Sequence, residues 1–173
     1  MNINKFNPSA LGLFGLGMVT LVASAQKFGI VEGVMPVVVW AIFLGAIAQL
    51  IAGIYDANNV ASFGATAFIG YVLFWLVIAF TWLFQNQVIF RGDFDPQLGV
   101  GFIGYLIFTL FMTIGSLKTT KVLALIFLFI DFLFIGLAIT AFTGSEFFHN
   151  FAAVSEIIVS MLYFFAFGAH IVN

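Results

Sequence analysis

The chain has 173 residues, 64% of them hydrophobic and 7% charged, with a mean hydropathy of +1.22. A soluble domain carries about 25% charged residues, so this composition cannot make a water-facing surface and reads as an integral membrane protein. The net charge of −2 has no basic run, which argues against nucleic acid as a partner. Cys is absent, so there is no disulfide or thiolate chemistry. His149 and His170 stand alone, so neither a metal site nor a cofactor is expected.

A membrane-spanning helix needs roughly 20 apolar residues. Six segments meet that need, and together they predict one all-α domain over residues 1–173. The first runs from Pro8 to Ala25, with Asn7 as N-cap and Pro8 at the first helical position. It reads as a spanning helix rather than a removed signal, because no cleavage site follows it. Its glycines are ordered: Gly12 and Gly15 share a face, and Gly17 lies off that line. Such a face lets another backbone come close or leaves open space. The second segment spans Met35 to Tyr55, followed by turn chemistry at Asp56-Ala57-Asn58-Asn59. The third spans Ser62 to Phe84. A polar loop holding Arg91, Asp93 and Asp95 leads to the fourth, Pro96 to Leu117. After the turn Lys118-Thr119-Thr120-Lys121, the fifth spans Val122 to Phe142 and the sixth Phe148 to Val172. Continuous apolar runs argue against a β-barrel, whose strands alternate.

Six spans put both termini on one side. That side carries Lys5, Lys118 and Lys121, against Lys27 and Arg91 opposite. Short-loop Lys and Arg set orientation, so the bias predicts cytoplasmic termini.

Polar side chains are costly in lipid and turn inward. Several here share helix faces: Gly45, Gln49 and Gly53 in the second segment, and Gly101, Tyr105, Thr109 and Thr113 in the fourth. Thr66 and Gly70 share a row beside Tyr71 in the third, and Glu156, Ser160 and Phe164 share one in the sixth, with Tyr163 beside them. Such rows serve either helix packing or the lining of a path, and one helix can do both on adjacent faces. Asp131 and Glu156 are the two carboxylates at membrane depth, with no Lys or Arg at that depth to pair with them. Asp131 is either a proton relay or a neutral acid bonded to a neighbouring helix or subunit, and Glu156 is either a proton relay or a carboxylate near water, a couple of turns inside the sixth helix. The 25 phenylalanines fill gaps between helices or face lipid, and a few can form an apolar gate.

The stretch Asn7-Pro8-Ser9-Ala10-Leu11-Gly12-Leu13 resembles the N-P-A-P-L-G-L signature of the acetate uptake transporter family, the succinate–acetate permeases and their fungal relatives. Ser62-Phe63-Gly64-Ala65-Thr66-Ala67-Phe68 with Tyr71, Phe74 and Trp75 is similar to that family's third helix. So are Gly45 to Gly53 in the second helix and Phe108 to Lys118 in the fourth. The resemblance implies six helices per protomer, a hexameric ring in the cell (inner) membrane, and a pore in each protomer for acetate and similar small monocarboxylates, sometimes succinate. It places an apolar constriction on Leu16, Tyr71 and Ile130, and puts Asn7, Pro8 and the third-helix motif with Thr66 near the substrate path. Gln49, Tyr71 and Thr109 would then supply neutral hydrogen bonds, and Asp131 and Glu156 become the candidates for proton coupling.

This chain departs from the family pattern in places. Ser9-Ala10 replaces Ala-Pro, Leu16 stands where the permease has Phe, and Asp131 stands where Thr is expected, directly after Ile130. Glu156 has no placeable counterpart. The leading expectation is an anion channel or proton-coupled symporter for small monocarboxylates. A channel for a neutral solute such as urea, and a non-transporting membrane subunit, remain as alternatives. An enzyme is not expected, because no nucleophile–base pair or cofactor motif is present.

Overall fold

The computed structural model describes residues 8–86 and 95–172. Asn7, Lys5, Arg91, Asp93 and the side chain of Asp95 lie outside the described residues. Six helices are present among the described residues: α1 (Pro8–Lys27), α2 (Met35–Asn58), α3 (Ser62–Asn86), α4 (Asp95–Ser116), α5 (Lys121–Thr143) and α6 (Glu146–Val172). All six have segments long and apolar enough to cross a bilayer. The expected spans are all there. Two ends differ in a way that matters later: α1 runs on from Ala25 to Lys27, and α2 from Tyr55 to Asn58.

The helices stand in a ring. Around it, α3 packs on α2, α2 on α1, α1 on α6, α6 on α5, and α5 on α4. Backbones of α3 and α4 approach least, and aromatic side chains close that gap. Tyr71 meets Phe108 edge-on at 5.7 Å between ring centres, and Phe74 meets Tyr105 at 5.0 Å. Edge-to-face pairs of this kind are a favoured geometry for neighbouring rings. Outward faces keep Phe43, Phe111 and Phe165 exposed, as expected of surfaces that meet lipid or a neighbouring subunit.

The predicted glycine face of α1 explains the tightest seam. A methyl group on Gly15 would run into the carbonyl oxygen of Leu44 on α2. Gly17 points elsewhere, toward the ring of Phe164 on α6. The two offsets read from the sequence therefore serve two neighbours. Leu44 itself lies in a π-helical stretch of α2, Ala41–Ala48. Such wide turns disturb the usual carbonyl pairing. Here the side-chain amide of Gln49 donates to the carbonyl of Gly45, and its backbone N–H goes back to the carbonyl of Ala46.

Caps set the helix ends. Thr120 accepts from the Leu123 N–H at 3.2 Å to start α5, and Gly144 ends it with φ of +64°. The end of α2 is less usual. The Ala61 N–H returns to the Asp56 carbonyl at 2.8 Å, a closure that needs a left-handed residue between them. That residue is Val60, with φ of 61°. A β-branched side chain there strains the backbone by about 1–2 kcal/mol. Val60 is 85% exposed, so its side chain gives little packing in return. Replacing Val60 with Gly is expected to stabilise the fold by about 1 kcal/mol, raising Tm by about 2–4 °C in a thermal melt of the purified protein. An unchanged or lower Tm would contradict the assignment of strain.

Candidate functional site

Three cavities lie end to end along the inside of the ring. The one on the side of the termini holds about 300 Å³ and is lined by Ser9 and Leu13 of α1, Asp56 of α2, Phe63 and Ala67 of α3, and His170 of α6, among others. The one at the opposite end holds about 360 Å³, with Lys27, Trp75, Trp82, Thr140, His149 and Glu156 in its wall. Between them is a neck of about 20 Å³. Leu16, Tyr71 and Tyr163 belong both to the first cavity and to the neck. Phe74, Trp75 and Leu133 belong both to the neck and to the last cavity. The three spaces thus form one interrupted path across the bundle.

Leu16, Tyr71 and Ile130 all line the neck. The neck has room for about one water molecule. Its wall is apolar because the polar groups near it are engaged elsewhere. The Thr20 hydroxyl donates to the Leu16 carbonyl at 2.7 Å, and Ser160 donates to the Gly17 carbonyl at 2.8 Å. Tyr71 turns its hydroxyl to Thr109 at 2.9 Å, and its ring stacks on Phe127. A space this narrow and apolar stays dry and blocks ions by dewetting.

Several sequence expectations land away from the path. Thr66 is exposed on the outer face of α3, and Pro8 is buried at the start of α1. Neither lines these cavities. Gln49 and Thr109 are fully buried and also stand off the path, each bonded within the protein as described above. Asn7 lies outside the described residues. Asp131 follows Ile130, but the helix turn carries it away from the neck to the α4–α5 seam. There its Oδ2 accepts from the Thr113 hydroxyl at 2.7 Å, and its Oδ1 has no partner. Of the two readings open for Asp131, this placement suits an acid bonded to a neighbouring helix, and it lines none of the three cavities.

Glu156 corrects the expectation that no cation reaches the buried carboxylates. Lys27 is the last residue of α1, and its Nζ stands 2.8 Å from Glu156 Oε2. The sequence places Lys27 in a loop. The helix continues through it, and the long side chain carries the ammonium inward along the wall. His149 also reaches this corner, with Nε2 at 3.3 Å from the Lys27 carbonyl.

Asp56 is the residue the sequence reading missed. It looked like turn chemistry, yet it is buried at the mouth of the first cavity, where the Ser9 hydroxyl donates to its Oδ1 at 3.0 Å. A signal was present: Asp56 continues the row Gly45, Gln49, Gly53 along one helix face. The contact also gives the Ser9 departure a physical role. Gly64 sits against the same carboxylate, where any side chain would collide with it.

A model of the GPR1/FUN34/yaaH family matches residues 1–173. The chain belongs to that family. The resemblance carried by the Asn7–Leu13 stretch and the third-helix motif is therefore borne out. Within the GPR1/FUN34/yaaH family, the chain is 34% identical over 153 residues to the succinate-acetate/proton symporter SatP of Escherichia coli K12, covering 87% of this chain and 80% of that one. It is 32% identical over 144 residues to acetate permease A of Emericella nidulans, covering 77% of this chain and 48% of the fungal protein. The solved structure of the bacterial acetate channel SatP superposes with a TM-score of 0.92 at 31% identity, covering 97% of this chain and 93% of that one.

If Asp131 is held as a structural acid, Thr113→Val should destabilise the protein by about 1–3 kcal/mol, because it leaves a second buried carboxyl oxygen without a donor. Asp131→Asn, which keeps an acceptor for Thr113, should leave Tm nearly unchanged. Thermal melts of the two variants check this. The reverse order of stabilities would contradict the placement.

Proposed function

We propose that this chain carries small monocarboxylates, acetate foremost, across a cell (inner) membrane, along the path inside each protomer. The observation that carries the reading is the neck of Leu16, Tyr71 and Ile130 set between two cavities on opposite ends of one six-helix ring. The names of its relatives, a succinate-acetate/proton symporter and an acetate permease, support the substrate class. Such a protein moves its cargo without covalent chemistry. The cavity volumes suit a solute of a few heavy atoms on either side of the neck.

Proton coupling follows from the neck's chemistry. An ion moved from water into an apolar space loses several kcal/mol of hydration after relaxation. Among the described residues, no charged side chain lines the neck to replace that hydration. A carboxylate therefore crosses far more readily with a proton than alone. We further propose that protomers join in a hexameric ring through their exposed apolar flanks, and that both termini face the cytoplasm, in line with the bias of Lys5, Lys118 and Lys121.

Uptake of labelled acetate into proteoliposomes tests the reading. It should rise as external pH falls, respond little to an imposed voltage, and exceed uptake of urea. Uptake that follows voltage but ignores pH would contradict proton coupling. Uptake of urea with none of acetate would overturn the substrate class.

A further inference from the structure

The cavity opposite the termini contains a charge arrangement that the neck does not explain. Lys27, Glu156 and His149 are the titratable side chains in its wall among the described residues. Lys27 comes from α1 and the other two from α6, while α5 and α3 contribute the neutral Thr140 and Trp82. Lys27 and Glu156 are paired at 2.8 Å, with side-chain exposures of 12% and 3%. A buried pair in helix packing is normally sealed by apolar neighbours. This one instead borders a space of about 360 Å³ that ends at the neck. An ammonium in such a wall is a binding partner for a carboxylate, and here a carboxylate of the chain already holds it.

We propose that Lys27 is the carboxylate-binding residue of this cavity and that Glu156 is a built-in competitor, released from Lys27 when it takes up a proton. The inference rests on the transport reading above and names the site where anion and proton meet. With Glu156 ionised, the pair is neutral and Lys27 is occupied. A proton converts Glu156 to the neutral acid, and the ammonium of Lys27 then pairs with the carboxylate of the incoming acetate. One proton and one anion have been added, so the total charge of the site is zero before and, with acetate counted, zero after. A bare anion would leave an uncompensated charge in a poorly hydrated cavity, and so would a bare proton. His149 completes the corner, with its Nε2 against the Lys27 carbonyl at 3.3 Å.

Acetate uptake into proteoliposomes and acetate titrations of tryptophan fluorescence test this together. Trp75 and Trp82 line the cavity and report binding without transport. In the native protein, acetate should bind more tightly at acidic than at neutral pH. Glu156→Gln, whose amide oxygen still accepts from Lys27, should bind acetate at neutral pH about as tightly as the native protein does in acid, with the pH dependence lost. Lys27→Met should weaken binding about tenfold or more at every pH. If Glu156→Gln proves unstable, Glu156→Asp serves instead: a shorter acid holds Lys27 less closely, so binding at neutral pH tightens while the pH dependence stays. Glu156→Gln with native affinity and native pH dependence would overturn the proposal, and so would unchanged binding in Lys27→Met. Either result with acetate uptake intact leaves the transport reading standing. Failure of the native protein to move acetate sinks that reading instead, and the fluorescence titrations then decide the binding site alone.

Discussion

A polar group in hydrocarbon must find its partner inside the chain, and this constraint shapes the whole bundle. It explains why the hydroxyls nearest the neck, those of Thr20 and Ser160, are tied to carbonyls of α1, and why Tyr71 and Thr109 hold each other. With those groups engaged, what remains facing the centre is apolar. The dry neck thus follows from the hydrogen bonds its neighbouring hydroxyls make within the helices, while the two buried oxygens without a partner, Gln49 Oε1 and Asp131 Oδ1, lie off the path. The same constraint places charge at the two ends of the path, in the Asp56–Ser9 contact and the Lys27–Glu156 pair, where cavities bring water within reach.

Close backbone approach is the second requirement. Gly15 lets α1 settle against the π-helical stretch of α2, and Gly17 leaves α6 its own contact on a different face. These two seams set the distance of α1 from the axis, and so the position of Leu16. On the far side of the ring, rings of Tyr71, Phe74, Phe108 and Tyr105 span the wider α3–α4 gap. Small residues thus set the α1–α2 seam of the bundle, and large rings set the α3–α4 seam.

Much of this was legible in the sequence, because hydropathy alone decides whether a segment spans a membrane. The six spans and the two glycine faces follow from patterns of apolar and small side chains, whereas Leu16, Tyr71 and Ile130 were named only through the family resemblance. The polar residues were harder to place. Thr66 and Gln49 sit in rows that suit a path, yet one faces outward and the other serves its own helix. Spacing gives a face, and only packing tells which neighbour that face meets. Lys27 and Asp56 were misjudged for a related reason. Both sit at helix ends, where a loop and one further turn of helix read alike, and where the difference decides whether a charge points into the bundle. Asp131 shows the reverse case. Its neighbour Ile130 lines the neck, but one step along a helix is enough to carry the carboxyl to another seam.

The central claim is that solute passes between Leu16, Tyr71 and Ile130. The most direct measurement is acetate uptake in two variants of one neck residue, Ile130→Ala and Ile130→Trp, in the same proteoliposomes. The account predicts faster uptake for Ala, which widens the neck and relaxes selection by size, and uptake near background for Trp, with both variants still folded. Equal uptake in the two would contradict a path through the neck and move the route to a surface between protomers.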